Sequence, residues 1–279
     1  MNANAKTVSL VLGSGGARGY AHIGAIEELR AQGFDIRSVA GASMGALIGG
    51  IYAAGKLDDY RDWARTLQKF DVLRLLDWTF RGGLIKGDRI IGRLKELIGE
   101  VRIEDLPIPY TAVAVDILAQ REVWFTHGPL FDAIRASIAI PTVFRPHHYE
   151  GRVLVDGGLL NPVPITPTLR DLTDCTIAVD LNAAPDDADS APAPDVNTDP
   201  GLLETFARSL DAIQATLTRF KLAAQPPDLV VQIPRNAGAF YEFHRAADLI
   251  ELGRERTRAA LAQWRGHLGA SAEGAPEVS

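Results

Sequence analysis

The chain has 279 residues, 47% hydrophobic and 23% charged, with a formal net charge of -6. That is globular composition with enough apolar content for a sizeable core, and the acidic balance argues against nucleic-acid binding and gives little pull toward anionic lipid. One cysteine, Cys175, excludes an internal disulfide, and no run approaches the ~18 apolar residues of a membrane span.

The first six residues have no apolar signal core, and the first apolar run is short. A cytoplasmic protein is expected, one that meets membrane from the surface. Residues 7–12 are a β-branched and leucine run ending at Gly13, which predicts a buried strand. Ile23, Ile26 and Leu29 recur at helical spacing over 21–32, and Gly33 stops that helix. Residues 38–41 form a short strand and 46–54 a helix stopped by Gly55. Strand, helix, strand, helix with tight glycine turns specifies a parallel sheet covered by helices. Helical patterns follow over 57–70 and 88–98. The segment 70–84 interleaves Leu73, Leu75, Leu76, Trp78 and Phe80 with Arg74 and Arg81. It reads as a core helix and loop or as an interfacial cap over a lipid site.

Residues 110–117 predict a buried strand and 122–126 its partner. A helix over 130–138 ends before Pro141, and a strand over 152–155 runs into Asp156-Gly157-Gly158. Strands at 176–181 and 229–233 complete the set; Cys175 at the head of the former reads as a buried, inert thiol. The stretch 183–200, built of Ala, Pro and Asp, reads as a mobile loop. Beyond it, Leu203, Phe206, Leu210, Ile213, Leu217 and Phe220 recur at helical spacing. Packing onto its own domain is the preferred reading of that stripe, with pairing to another subunit as the alternative. A second helix spans 243–264. The expected organisation is a core over 1–182, the loop 183–200, C-terminal helices and a strand over 201–268 that complete the domain, and a disordered tail over 269–279.

Three short segments carry chemistry. Gly41-Ala42-Ser43-Met44-Gly45 is a G-x-S-x-G between a strand and a helix, the context of a nucleophile elbow. A serine in that turn takes a strained backbone, and the flanking glycines relieve the crowding. Gly13-Ser14-Gly15-Gly16-Ala17-Arg18-Gly19 follows the first strand and opens the first helix. It fails the dinucleotide fingerprint, which would need a glycine or alanine where Arg18 stands, and it fails the P-loop pattern. Consecutive glycines leave amides free to converge on one oxygen, so an oxyanion hole is preferred. Asp156-Gly157-Gly158 ends a strand. Alone, such a pair is most often a turn.

Together these segments resemble the patatin-like phospholipase family in its compact bacterial form. The matching blocks are Gly15-Gly16-Ala17-Arg18-Gly19, the elbow at 41–45, and Asp156-Gly157-Gly158. The run Ala136-Ser137-Ile138-Ala139-Ile140-Pro141-Thr142-Val143-Phe144-Arg145-Pro146 and the pair Asn161-Pro162 also fit. The resemblance covers about 8–180, with Ser14 where many members have another glycine. It implies a three-layer α/β/α fold with a mostly parallel central sheet. It also implies a serine–aspartate dyad for lipid ester hydrolysis, with Ser43 as nucleophile, Asp156 as base, and the amides of Gly15, Gly16 and Met44 holding the oxyanion. Arg18 would steady the loop or face a phosphate headgroup. No cofactor, metal or nucleic acid is implied; the substrate is a lipid ester such as a phospholipid or lysophospholipid, met by peripheral membrane contact. Two alternatives on the same fold are an acyltransferase and a catalytically quiet lipid-binding regulator. A histidine triad is the rival mechanism, with His244, then His147 or His148, as the formal base; His22 reads as a structural helix residue near the glycine loop.

Overall fold

The computed structural model describes residues 5–75, 85–185 and 201–273. The α/β/α fold with a mostly parallel sheet is as expected. Strand β1 (Thr7–Leu12) runs parallel between β2 (Asp35–Ala42) and β7 (Cys175–Ala183). Strand β3 (Tyr110–Asp116) extends the sheet beyond β2, and β8 (Leu229–Pro234) beyond β7, both parallel. Three antiparallel strands complete it. Strand β4 (Arg121–Phe125) and β6 (Arg152–Asp156) each pair with β3, and β5 (His147–Tyr149) pairs with β6.

The pairing around β3 decides where the site lies. β2 pairs with β3 over Tyr110 to Val113, and β6 over Ala114 to Asp116. β4 pairs with β3 over Ala112 to Asp116 and so shares residues with both. A strand has two hydrogen-bonding edges, so β2 and β6 share the edge opposite β4. Being antiparallel to one another, they meet head-on along it. The C-terminal end of β2, just before Ser43, faces the C-terminal end of β6, which is Asp156.

Side-chain alternation separates the layers. In β1, Leu10 and Leu12 join the large cluster, which also takes in α1 (Ala21–Ala31), α2 (Met44–Ala53), α6 (Leu130–Ser137) and α8 (Ala246–Glu273). Val11, between them, points to the other face, where Val163, Ile165 and Ala178 meet Leu222 of α7 (Leu202–Ala224). Two glycines bring α1 and α8 into backbone contact. A Cβ on Gly24 would lie 1.9 Å from the Ile250 carbonyl oxygen, and one on Gly253 would lie 2.0 Å from that of Ala21.

Four local expectations are revised. The helical pattern over 57–70 is two helices, α3 (Leu57–Thr66) and α4 (Lys69–Leu75). Leu67 is extended, and the Asp71 carboxylate accepts from the Gln68 amide at 3.0 Å, as at a fresh helix start. The strand β5 was not legible, since it is only three residues long. Its hairpin turns at Glu150 and Gly151, both at positive φ (47° and 73°), the signature of a type I′ turn. Helix α8 continues through Gly269 to Glu273, because Ala270, Ala272 and Glu273 are strong helix formers. Helix α7 packs onto its own domain with Gln214 and Thr218 buried and Phe206, Leu210 and Leu217 half-buried, but it leaves Ile213 and Phe220 of the apolar stripe 50% and 69% exposed. The other strands and helices fall where expected, including the remaining helix α5 (Asp88–Ile98); most of the expected loop, residues 186–200, and the end of the tail, residues 274–279, lie outside the described residues. Within the segment 70–84, residues 76–84 lie outside the described residues; at its start Phe70 is exposed, with the Arg74 guanidinium 4.5 Å over its ring. No helix among the described residues is long and apolar enough to cross a membrane.

Candidate active site

Ser43 sits between β2 and α2 with φ 55° and ψ -125°, a conformation a non-glycine residue rarely holds. Its neighbours explain how the turn closes. A Cβ on Gly41 would lie 2.3 Å from the Gly45 carbonyl oxygen, and one on Gly45 would lie 2.0 Å from that of Leu12. The elbow therefore admits only glycine at both positions.

The Ser43 hydroxyl donates to Asp156 Oδ2 at 2.5 Å. The other carboxylate oxygen, Oδ1, accepts from the Gly158 amide at 2.7 Å. Both residues are 3% exposed. Burial raises the Asp156 carboxyl to about 7, and the bonds from Ser43 and Gly158 only partly offset it. A buried carboxylate at that level can take a proton from a touching hydroxyl and return it at neutral pH. Gly157 is required here as well, since a Cβ on it would lie 2.0 Å from the Val113 carbonyl oxygen.

The run 136–146 braces both arms. Ser137 Oγ accepts from the Ser43 amide at 2.9 Å and donates to the Val113 carbonyl at 2.6 Å. The Ala139 carbonyl accepts from the Asp156 amide at 3.0 Å. Residue-by-residue reading gave Ser137 no role; the only signal was its place in the quoted run.

The glycine loop packs against both the Ser43 and the Asp156 segments. A Cβ on Gly158 would lie 2.6 Å from Ser14 Oγ, and one on Gly19 would lie 2.4 Å from the Met44 Cβ. Within the loop, the amides of Gly13, Ser14 and Ala17 donate to Val179, Pro162 and Phe240 carbonyls. The amides of Gly15 and Gly16 are buried and have no partner among the described residues. Buried unpaired N–H groups are uncommon and mark a place for an acceptor. Met44 opens α2, so its amide has no acceptor within that helix.

Arg18 is 2% exposed. Its guanidinium donates to the Arg235 carbonyl and Asn182 Oδ1 and forms an ion pair with Asp211 of α7 at 2.9 Å. That arrangement steadies the loop, and contact with a headgroup would require the side chain to leave these partners. His22 is fully buried, with Nε2 2.7 Å from the Gly13 carbonyl oxygen. Burial lowers it to about 4, so it is neutral at pH 7, and Nε2–H is the donor. It too holds the loop. His147 faces Asp132 at 3.1 Å, His148 is exposed, and His244 lies in a 3-10 turn. Both Asp156 oxygens are bonded, and no histidine is among the hydrogen-bond partners of Ser43 or Asp156. Cys175 is buried, its thiol pushed up to about 11 by burial.

A family model for patatin-like phospholipase matches residues 10–169. An NTE family protein of Mycobacterium tuberculosis is 38% identical over 91% of each chain. A second from that organism is 32% identical over 92% of this chain and 46% of its own length. The neuropathy target esterase sws of Drosophila persimilis is 34% identical over 57% of this chain and 12% of its own. Among solved structures, VipD from Legionella pneumophila superposes with a TM-score of 0.49 at 14% identity, over 93% of this chain and 67% of that one.

Proposed function

The chain belongs to the patatin-like phospholipase family, and on that premise we propose that it hydrolyses carboxylic esters of lipids, phospholipids or lysophospholipids, through an acyl-enzyme on Ser43. The observation that carries this reading is the 2.5 Å hydrogen bond from Ser43 to a buried Asp156. In the ionised state Asp156 Oδ2 takes the hydroxyl proton as Ser43 Oγ bonds to the ester carbonyl carbon. Negative charge moves to the carbonyl oxygen, where the Gly15 and Gly16 amides, joined by that of Met44, donate to it. One such donor is worth ~2.7–4 kcal/mol. Collapse breaks the ester C–O bond, and Asp156 returns the proton to the departing alcohol. Water then gives a proton to Asp156 and attacks the acyl carbon. The fatty acid leaves, and the proton goes back to Ser43. Lipid reaches such a site by peripheral contact of a cytoplasmic protein with membrane.

The test is a hydrolysis screen across acyl lengths and phospholipid classes, with Ser43→Ala as control. A fluorophosphonate is expected to label Ser43 in the wild type and nothing in the variant. Labelling of another serine, or full activity without Ser43, would sink the reading. Because named side chains and amides supply every step, chelator is expected to leave hydrolysis of a small soluble ester unchanged.

A further inference from the structure

A second concave site lies away from the dyad, in a cleft of about 420 Å³. Its scaffold is unusual. Ile85 and Phe144 form an isolated parallel bridge, which sets Lys86 and Arg145 side by side. Beneath them Arg135 of α6, almost fully buried, donates through one nitrogen to the carbonyls of both Lys86 and Arg145, at 2.6 and 2.9 Å. The buried guanidinium thus fixes the backbone that carries the two rim cations.

The charge balance of the cleft is opposite to that of the chain. Lys86, Lys95, Arg135 and Arg145 line it against Asp88 and Asp132, four cations to two carboxylates, on a protein of net charge -6. Asp132 is engaged by His147 Nε2 at 3.1 Å, and Lys95 by Glu100 at 2.7 Å. Lys86 and Arg145 form no ion pair among the described residues. Neighbouring like charges raise the free energy of the empty site, and a dianion between them lowers it. Ile91, Phe131 and Pro146 add an apolar wall, which suits an organic substituent on that anion.

We propose that this cleft binds a phosphate monoester, with Lys86 and Arg145 as the primary contacts and Arg135 as the positioning residue beneath them. It is separate from the dyad. Arg135 and Ser137 are two positions apart on α6, about 200° around the helix axis, and Ser137 is the residue that holds the Ser43 amide. The proposal stands without the hydrolase reading.

The test is calorimetric titration of the full chain with glycerol 3-phosphate and with inorganic phosphate. A parallel arm measures sedimentation with phosphatidylcholine vesicles, with and without phosphatidic acid. Saturable binding of the soluble monoester supports a free ligand; binding only to the phosphatidic acid vesicles supports a lipid headgroup. In either case the exposed double variant Lys86→Ala/Arg145→Ala should weaken binding by about tenfold or more, and Ser43→Ala should bind like the wild type. The proposal is overturned if the wild type binds none of these probes, if the double variant binds equally well, or if labelling of Ser43 by fluorophosphonate blocks binding.

Discussion

The two halves of the sheet present the two residues of the proposed dyad at opposite kinds of cost. The parallel half delivers Ser43 on a backbone at φ 55°, hemmed in by Gly41, Gly45 and the Leu12 carbonyl, so its cost is conformational. The antiparallel half delivers Asp156 on a relaxed backbone, φ -50° and ψ 131°, and its cost is electrostatic, a carboxyl raised to about 7 by burial. The two meet because β2 and β6 run head-on along one edge of β3. Ser137 and Ala139 bind the two amides from one short run, so strain on one side and desolvation on the other are restrained by a single element.

The largest expected effect tests whether the base arm belongs to the dyad at all. Asp156→Asn keeps the shape but cannot take the serine proton, so kcat/KM should fall ~10²–10⁴-fold. His147→Gln, His148→Gln and His244→Gln should each keep most activity, and His22→Gln should lose a little by loosening the glycine loop. If Asp156→Asn stays active and a histidine variant dies, the base is a histidine. The pH profile does not separate the mechanisms. With Asp156 at about 7, activity should fall as pH drops through neutrality, the region where an imidazole limb would also lie.

Next in size is the brace. Ser137→Ala leaves the buried Ser43 amide without its acceptor and the Val113 carbonyl without that donor. About 1–3 kcal/mol of stability should be lost, read from the urea midpoint, and turnover should fall with it. An unchanged midpoint would show that the two arms are not held through this hydroxyl.

The electrostatic cost of the base arm is also measurable as stability. Asp156 has a raised folded pKa, so ionising it disfavours the folded state. The penalty is absent below the unfolded value near 4, grows between there and about 7, and is complete above 7. Asparagine removes that penalty, worth about 4 kcal/mol for ~3 pH units, and whatever its amide gains or loses beside Ser43 and Gly158 is the same at every pH. Asp156→Asn should therefore gain about 4 kcal/mol at pH 8 relative to its difference from wild type at pH 4. A pH-independent difference would mean that the carboxyl is not held near 7.

The same contrast explains what could be read from sequence. The Ser43 arm is legible because close backbone approach admits only glycine, and such demands leave a local pattern at 41–45. Gly15 and Gly16 leave a pattern for a similar reason, since a Cβ on them would meet Leu181 at 2.6 Å and Phe240 at 2.4 Å. Asp156 is not, since an Asp-Gly pair at a strand end is most often a turn; its meaning comes from a partner 113 positions away, supplied by resemblance. Ser137 is hidden because one hydroxyl in an alanine-rich helix has no spacing rule, and β5 because three residues carry no periodicity. Arg18 could not be assigned because its partners, Asp211 and the Arg235 carbonyl, lie on segments about 200 residues away.

The smallest effect sharpens the comparison most, because it should change sign across the dyad. Ser43→Ala and Ser43→Gly both remove the hydroxyl, so each leaves Asp156 without that donor, and neither should be active. They differ only in the Cβ, which alanine must keep at φ 55° and glycine need not. Release of ~1–3 kcal/mol of strain, less the ~0.5–1 kcal/mol of extra unfolded-chain entropy that glycine brings, makes Ser43→Gly the more stable by roughly 1 kcal/mol. At Asp156 the backbone is ordinary, so only the entropy remains, and Asp156→Ala should be the more stable of that pair by ~0.5–1 kcal/mol. Urea unfolding of the four variants at one pH reads both differences. If alanine is the better residue at both positions, Ser43 is not strained, and the conformational half of the contrast is wrong. If glycine is better at both, the Asp156 backbone is as constrained as the elbow, and the two arms are not different in kind.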